Sequence, residues 1–434
     1  MGAKEPPCGD PTGGILIFHP NRYPDRLRSH HQALAPLFAL CAGEANFAEN
    51  LRHLSPEAWR RRTVYIHVPF CGSICSYCHF ARTAEHSNEL RTRYVDGVLR
   101  ELALRRQACA VLRVQRRALS TCYLGGGTPS ELEPELMERL LEGVLGGFAR
   151  TEDFELTAEA NPESLTPELA HVWRELGIGR VSLGVQSLDA AVLKLLGRQC
   201  DPSTARRALA LACKVFPRVS ADWIIGPGLE CEPLLAELSE AATLGVEHFS
   251  VYILELHPGT RLERRVEQGD VLLLPDYKTE ELYLAVVEHL AGLGVMQYEV
   301  ANFARPGSES RHNRNYWRHR PWLGLGPGAH GYWGRRRYGN YGEISQWLGA
   351  LAEGRLPEES VDPLNRRALK LERLILGLRT KRGVPLAQLP PGSLDVPRGQ
   401  SEGLWDLVDG HLVLTSRGFL RIDSIEERLA RLTL

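Results

Sequence analysis

Three cysteines carry the sharpest chemical signal in the chain: Cys71, Cys75 and Cys78, spaced Cys-x3-Cys-x2-Cys. They follow a β-branched run, Thr63–Val68, that Pro69 closes. Proline has no N–H to give a ladder, so the thiols are expected on a loop at the C-terminal end of a strand. Zinc usually takes four ligands, often as two separated pairs, and no second Cys-x2-Cys follows downstream. Three thiolates suit a 4Fe-4S cluster with one iron left open for another ligand. The bland alternatives are three unrelated buried cysteines or a three-cysteine zinc site. The other seven cysteines, at 8, 41, 109, 122, 200, 213 and 231, are scattered and give no disulfide framework.

Further polar residues stand where other strands should end. Tyr123-Leu-Gly-Gly126-Gly127-Thr128-Pro129 follows one strand and precedes a helix. Its glycines let backbone groups approach a ligand, although a glycine run alone is also an ordinary tight turn. No Lys-Ser/Thr follows, so it is not a nucleotide-binding P-loop. Glu159, Gln186 and Asp222 end three further strands, and Arg198 adds a cation able to meet a carboxylate bidentately. Later, His312-Asn313-Arg-Asn-Tyr316-Trp317 joins an imidazole to flat apolar rings, with Arg311, Arg314, Arg318 and Arg320 alongside. A neutral imidazole is an axial ligand for heme iron, and aromatic faces suit a porphyrin. A packed structural histidine is the plain competitor.

The elements that must position these residues alternate. Strands are expected at Thr63–Val68, Ser120–Leu124, Phe154–Ala158, Arg180–Val185, Val219–Ile225 and His248–Ile253, with helices near 88–107, 131–149, 166–176, 203–215, 231–244 and 276–293. Such alternation implies βαβ units and a parallel sheet, flat or curled, with its chemistry at the C-terminal strand ends. Residues 1–60 form an extension, partly ordered, with a helix-like run at His30–Leu51. Beyond about 300 the pattern changes: a helix at Leu364–Leu378, then a tail from Leu404 reading as helix, short hairpin (His411–Thr415) and helix, a winged-helix-like unit.

Composition narrows the function. Lys plus Arg total 52 against 53 Asp plus Glu, a net charge of −1, which does not suit bulk coating of nucleic acid. The run Arg335–Arg337 beside Tyr338 and Tyr341 is expected as a solvated hairpin. There is no secretory signal, and no run reaches the roughly 18 apolar residues of a membrane helix, so a cytoplasmic protein that is not an integral membrane protein is expected.

The segment Tyr65-Ile-His67-Val-Pro-Phe-Cys71-x3-Cys75-x-Tyr77-Cys78-x-Phe80 resembles the cluster loop of radical-SAM proteins, in particular the oxygen-independent coproporphyrinogen III oxidase-like family. The likeness covers roughly residues 63–434. It implies a partial (β/α)6 barrel at 61–300 followed by a C-terminal α+β, coproporphyrinogen-oxidase-like domain at 301–434. It also implies a cluster on Cys71, Cys75 and Cys78, whose open iron chelates S-adenosylmethionine and whose electron cleaves the sulfonium to a 5′-deoxyadenosyl radical. By the same resemblance Gly126–Thr128 meet the methionyl amino group, Glu159, Gln186, Arg198 and Asp222 the ribose and carboxylate, and Tyr65 completes the shell. The decarboxylating oxidases carry a fourth cysteine where this chain has Phe80. The His-Asn-x-x-Tyr-Trp motif at 312–317 and Gly324–Gly331 are similar instead to the heme-chaperone branch. That branch implies binding of heme and its transfer to an acceptor, with His312, Asn313, Tyr316 and Trp317 as the heme motif. A flavodoxin-like electron donor, a heme-accepting protein of respiration and a second copy of the chain are the expected partners. The competing expectation is an enzyme using the radical on a substrate, either a porphyrinogen oxidase or a methyltransferase employing two adenosylmethionines.

Overall fold

Alternation within the strands decides how the chain folds. Along β1 (Arg61–Val68), Val64, Ile66 and Val68 are buried in the main core, while Thr63, Tyr65 and His67 fall on the opposite face. The same register recurs in β4 (Arg180–Gln186), where Val181, Leu183 and Val185 alternate with Arg180, Ser182 and Gly184. In β5 (Arg218–Ile225), Val219, Ala221 and Trp223 alternate with Ser220 and Asp222. Side chains two residues apart share a face, so each strand turns an apolar side to covering helices and a polar side to a common interior.

The computed structural model describes residues 61–85, 87–108, 118–333 and 335–433; the expected N-terminal extension, with its helical run, lies outside the described residues. With β2 (Ala118–Gly126), β3 (Arg150–Ala160) and β6 (His248–Ile253), the strands pair in parallel, each with its sequence neighbour. The helices between them are α1 (Asn88–Ala108), α2 (Pro134–Leu145), α3 (Pro167–Glu175), α4 (Ala190–Leu196) with α5 (Pro202–Val215), and α6 (Cys231–Leu244). In α2, Met137, Leu140, Leu141, Val144 and Leu145 are buried, the spacing of one helical face on a sheet. This is the (β/α)6 arrangement expected. Beyond α7 (Arg261–Glu267) and α8 (Asp276–Gly292), β7 (Met296–Gln297) and β8 (Asn302–Ala304) extend the sheet antiparallel from β6. The other edge receives β9 (Leu323–Leu325) parallel to β1, so the described ladder runs from β7 to β9.

Helix α9 (Arg311–Trp317) is capped by the Ser310 hydroxyl, which accepts from the Asn313 N–H at 3.2 Å. It lies against the strand starts, the end opposite the cysteines: Asn315 donates to Thr63 at 2.8 Å, and the His312 N–H donates to Glu155 at 3.1 Å. A three-stranded sheet of β10 (His330–Trp333), β11 (Arg336–Asn340) and β12 (Glu358–Pro363) follows, with α10 (Ile344–Ala352) between the last two. Arg336 bonds Glu358 at 3.1 Å and Arg337 meets Glu372 at 2.7 Å, so two of the three basic residues of that run are matched by carboxylates.

The C-terminal unit has its own core. Helix α11 (Arg366–Leu378), strands β13 (Val384–Pro385), β14 (Trp405–Val408) and β15 (His411–Leu414), short helices α12 (Val396–Ser401) and α13 (Ser416–Phe419), and α14 (Ile422–Thr433) surround Leu374, Leu378, Leu412, Leu414 and Phe419. One expectation is corrected: the stretch from Leu404 is not helical but enters β14, the first arm of a longer hairpin. Asp409 and Gly410 have φ of 48° and 73° and form a two-residue turn of the kind hairpins prefer. Among the described residues no helix is long and apolar enough to cross a membrane.

Candidate cofactor site

The cysteine loop leaves β1 at Pro69 and is tied at both ends. The Cys71 N–H donates to the Thr83 carbonyl at 3.0 Å, and the Thr83 N–H donates to that of Pro69 at 2.8 Å. Ser76 in the middle is anchored by donation to Leu196 O at 2.9 Å and by acceptance from the Leu262 N–H at 2.8 Å. Cys71, Cys75 and Cys78 all line one cavity of about 400 Å³. Among the described residues no three His, Cys, Asp or Glu side chains are gathered closely enough to hold a single ion. A cubane cluster asks for less convergence, since its cysteines bind different irons. Burial pushes the Cys71 thiol up to about 11 against the hydrogen bond from Thr128, and burial also raises Cys78, so metal binding must displace protons.

The glycine loop forms the adjoining wall. The Gly127 N–H donates to Val68 O at 2.7 Å, and a Cβ at Gly127 would stand 2.7 Å from the carbonyl oxygens of Val68 and Phe70. Gly126, at φ 111°, would drive a Cβ to 2.4 Å from the His67 ring. Only glycine lets the loop lie this close to the cysteine strand.

Glu159, Gln186, Arg198 and Asp222 meet on the same cavity with Gly126, Gly127 and Thr128. Arg198 donates to Asn161 at 2.8 Å, to Gly184 O at 2.7 Å and to the Cys75 sulfur at 3.4 Å, and its buried Nε has no hydrogen-bond partner. Gln186 sits at φ 70°, a left-handed conformation that costs a non-glycine residue about 1–2 kcal/mol. Burial raises the Glu159 carboxyl, opposed by its bonds from Tyr123 and Gly126. Burial, then the neighbouring Glu159 charge, lifts Asp222 to about 7. This donor set fits an amino-acid-bearing nucleoside beside a cluster: thiols for iron, an orphaned guanidinium nitrogen for a carboxylate, and carboxylates for hydroxyls. Tyr65 does not line the cavity; its hydroxyl is 3.1 Å from His67 Nδ1 and its ring stacks on Tyr123 at 6.2 Å. Asn161, Ser182 and Tyr252 also line it, as do His79, Phe80 and His257, none of which the sequence reading assigned to this site.

The His312 motif lies elsewhere. His312 is 1% exposed, with Nδ1 3.0 Å from the Thr121 hydroxyl and Nε2 2.8 Å from that of Tyr316. Burial drops its pKa to about 3, so the ring is neutral. Asn313 lines a cavity of only about 30 Å³ and Trp317 packs on the C-terminal core. The four residues share one short helix, and the cavity that Asn313 lines is far smaller than a porphyrin.

A thiol loop, a glycine loop and strand-end carboxylates around one cavity on a (β/α)6 sheet define a radical-SAM protein, and the Radical SAM superfamily model matches residues 65–241. Within that class the chain belongs to the HemW heme-chaperone family. It is 37% identical over 385 residues to the heme chaperone HemW of Mycobacterium tuberculosis, covering 87% of this chain and 96% of the relative. HemW of Bacillus subtilis is 31% identical over 74% of this chain and 84% of its own length. The mitochondrial radical S-adenosyl methionine domain-containing protein 1 of Bos taurus is 35% identical over 76% and 71%. Among solved structures, the coproporphyrinogen III oxidase HemN of Escherichia coli superposes with a TM-score of 0.74 at 21% identity, over 89% of this chain and 93% of HemN, which is a likeness of fold.

Proposed function

We propose that the chain binds heme and delivers it to an acceptor protein, as the expectation of a respiratory acceptor has it, with a 4Fe-4S cluster and S-adenosylmethionine resident in the strand-end cavity. The observation that carries this reading is the match to 96% of a relative named as a heme chaperone. Phe80, which is 47% exposed at the cavity where the oxidases carry a cysteine, also supports it over a decarboxylating oxidase. Cys71, Cys75 and Cys78 would hold the cluster, Gly126–Thr128 the amino group, Arg198 the carboxylate, and Glu159, Gln186 and Asp222 the hydroxyls. Bound there, these cofactors supply one-electron chemistry at a sulfonium centre.

Two settings offer an imidazole to the iron. His312 serves only once α9 leaves the strand starts, because iron must replace Thr121 or Tyr316 on its ring. The alternative is the cavity itself, where the rings of His79 and His257 lie 3.5 Å apart beside Phe80, Ile253 and Leu254, with Arg82 suited to a propionate.

Heme titration of the anaerobically reconstituted protein tests the function, with the Soret band as readout. Saturation near one heme per chain is expected, and the absence of saturable binding sinks the reading. His312→Ala and His79→Ala variants then separate the two settings. If His312 is the ligand, heme loading must also increase amide exchange in α9.

A further inference from the structure

Among the helices that cover the sheet, away from the cofactor cavity, one carboxylate is buried without a cation on it. Glu237 on α6 is 7% exposed and has no ion pair among the described residues. Arg206 on α5, close enough to feel its charge, is bonded instead to Glu240 at 2.6 Å. The oxygens of Glu237 are filled by neutral donors. Ser187 Oγ donates at 2.9 Å to Oε1 and lies 3.2 Å from Oε2, Trp223 Nε1 donates to Oε2 at 3.0 Å, and the Leu188 N–H adds a third bond. A buried charge held only by neutral groups is a costly way to fill a core, and an apolar side chain avoids that cost.

What the carboxylate grips gives it a role. Along β4 the row Val181, Leu183 and Val185 faces the helices, and by the same period Ser187 follows them. Its buried hydroxyl donates to Glu237 and accepts from the Asp189 N–H at 3.0 Å, and Asp189 in turn caps α4. Trp223, the other donor, is the partner of Gln186 on β5, where the register slips between Leu183 and Gln186. Both donors therefore flank Gln186, one next in the chain and one opposite on the ladder. Gln186 itself stands at φ 70° with its amide folded back over Gly184, where a Cβ would lie 3.0 Å from Gln186 Nε2 and 3.8 Å from Arg198 Nη2. That turn brings the amide onto the cavity wall beside the guanidinium. A residue keeps a strained conformation only where its surroundings over-determine it.

We propose that Glu237 is a positioning residue for the cofactor: by fixing Ser187 and Trp223 from behind the sheet, it holds Gln186 in the left-handed turn that presents its amide to a ribose hydroxyl. Glu237 touches no ligand and acts only through Gln186. The proposal rests on the S-adenosylmethionine reading above and deepens it by naming the group that orients one of its contacts.

The test measures S-adenosylmethionine affinity by equilibrium dialysis on reconstituted protein with counted iron and sulfide. Glu237→Gln and Gln186→Ala are each expected to weaken binding about tenfold, and the double variant no more than Gln186→Ala alone. Ser187→Ala, a smaller lesion in the same link, should follow that pattern with a loss of about threefold. Glu240→Gln, one turn along α6 and bonded to Arg206, should bind as wild type does. The 2′-deoxy and 3′-deoxy analogues of S-adenosylmethionine show which contact is lost: towards one of them, Glu237→Gln and wild type should bind equally. Losses that multiply in the double variant, or that fall equally on both analogues, overturn the proposal and leave Glu237 a structural group. If Glu237→Gln fails to hold a cluster, the cycle of Ser187→Ala with Gln186→Ala decides in the same way. A cluster-loaded wild type that does not bind S-adenosylmethionine sinks the cofactor reading, whereas a wild type that binds, beside Glu237 and Ser187 variants that bind alike, sinks the positioning alone.

Discussion

The hydroxyl of Tyr123 donates to Oε1 of Glu159 at 2.7 Å, while Oε2 accepts from the Gly126 N–H at 3.0 Å. One carboxylate therefore joins β3 to both the strand and the loop of the glycine segment. A hydrogen bond to a charged acceptor contributes about 1.5–3 kcal/mol, part of which here orients the loop. Tyr123→Phe keeps the ring but deletes the donor. S-adenosylmethionine affinity, measured by equilibrium dialysis on reconstituted protein, should fall about 3- to 30-fold on that scale. An unchanged affinity means the glycine loop is oriented without Glu159.

Tyr123 also faces downward: its ring lies 4.9 Å from that of His312. His312→Ala removes the ring from between Thr121, Tyr316 and Tyr123, leaving a cavity and taking the partner of the Tyr316 hydroxyl, while Thr121 keeps Thr63 at 3.3 Å. We expect a loss of about 2–4 kcal/mol in urea unfolding of the heme-free protein. A loss below about 0.5 kcal/mol would mean that the floor tolerates its removal, as surface sites do. Because the variant weakens the fold, its heme titration is read beside this measurement.

Much of this architecture was legible because period-two alternation is a direct imprint of a strand between two environments. Val181, Leu183 and Val185 against Arg180, Ser182 and Gly184 predict β4 and its inward face alike, and Glu159, Gln186 and Asp222 then follow as strand-end residues. The same alternation, read further, would have placed Ser182 and Tyr252 in the interior. His79 and His257 carried no such sign, since loop residues meet only through the fold. Tyr65 and His312 are assigned by motif, and a motif does not say at which end of the strands a side chain lies: both rings lie with Tyr123 inside the sheet, His312 bonded to Thr121. The tail's hairpin, expected at His411–Thr415, turns instead at Asp409–Gly410, a readable signal that makes Trp405–Val408 its first strand and not a helix.

Buried titratable groups give the stability opposing slopes in pH. Asp222 and Glu299 are each lifted to about 7, first by burial, so the folded chain keeps protons that the unfolded chain releases. Their contribution is present below the unfolded pKa and is lost as pH rises towards 7. His312 and His67 are lowered by burial to about 3 and about 4, so their contribution is present above the ordinary histidine value and is lost as pH falls from there. Asp222→Asn should therefore raise stability at pH 8 by roughly 1–4 kcal/mol while changing it little at pH 4. Urea unfolding at the two pH values checks the sign, and equal effects at both would show that Asp222 titrates normally.

Glu101 is fully buried on α1 and accepts from four directions: Arg105 Nε at 2.8 Å, Asn340 Nδ2 at 2.8 Å, the Gly326 N–H at 2.9 Å and Trp347 Nε1 at 3.1 Å. These match the lone pairs of an ionised carboxylate, leaving no acceptor unused. The partners come from the helix behind β1, the turn after β9, β11 and α10, so one side chain holds the β9 edge against the strand that carries the cysteines. Gly326 has no room for a side chain in that turn, since a Cβ would lie 2.4 Å from His67 O. Glu101→Ala takes one of two carboxylates from Arg105, which is 4% exposed and keeps Glu358 at 2.9 Å, and strips three other donors of an acceptor. Breaking a buried ionic network this way costs about 3–5 kcal/mol. Glu101→Gln should be nearly as damaging, because its amide turns a donor towards donors. Guanidinium unfolding of both variants checks this: a loss under about 1 kcal/mol in Glu101→Gln would mean the network is held by shape and not by charge.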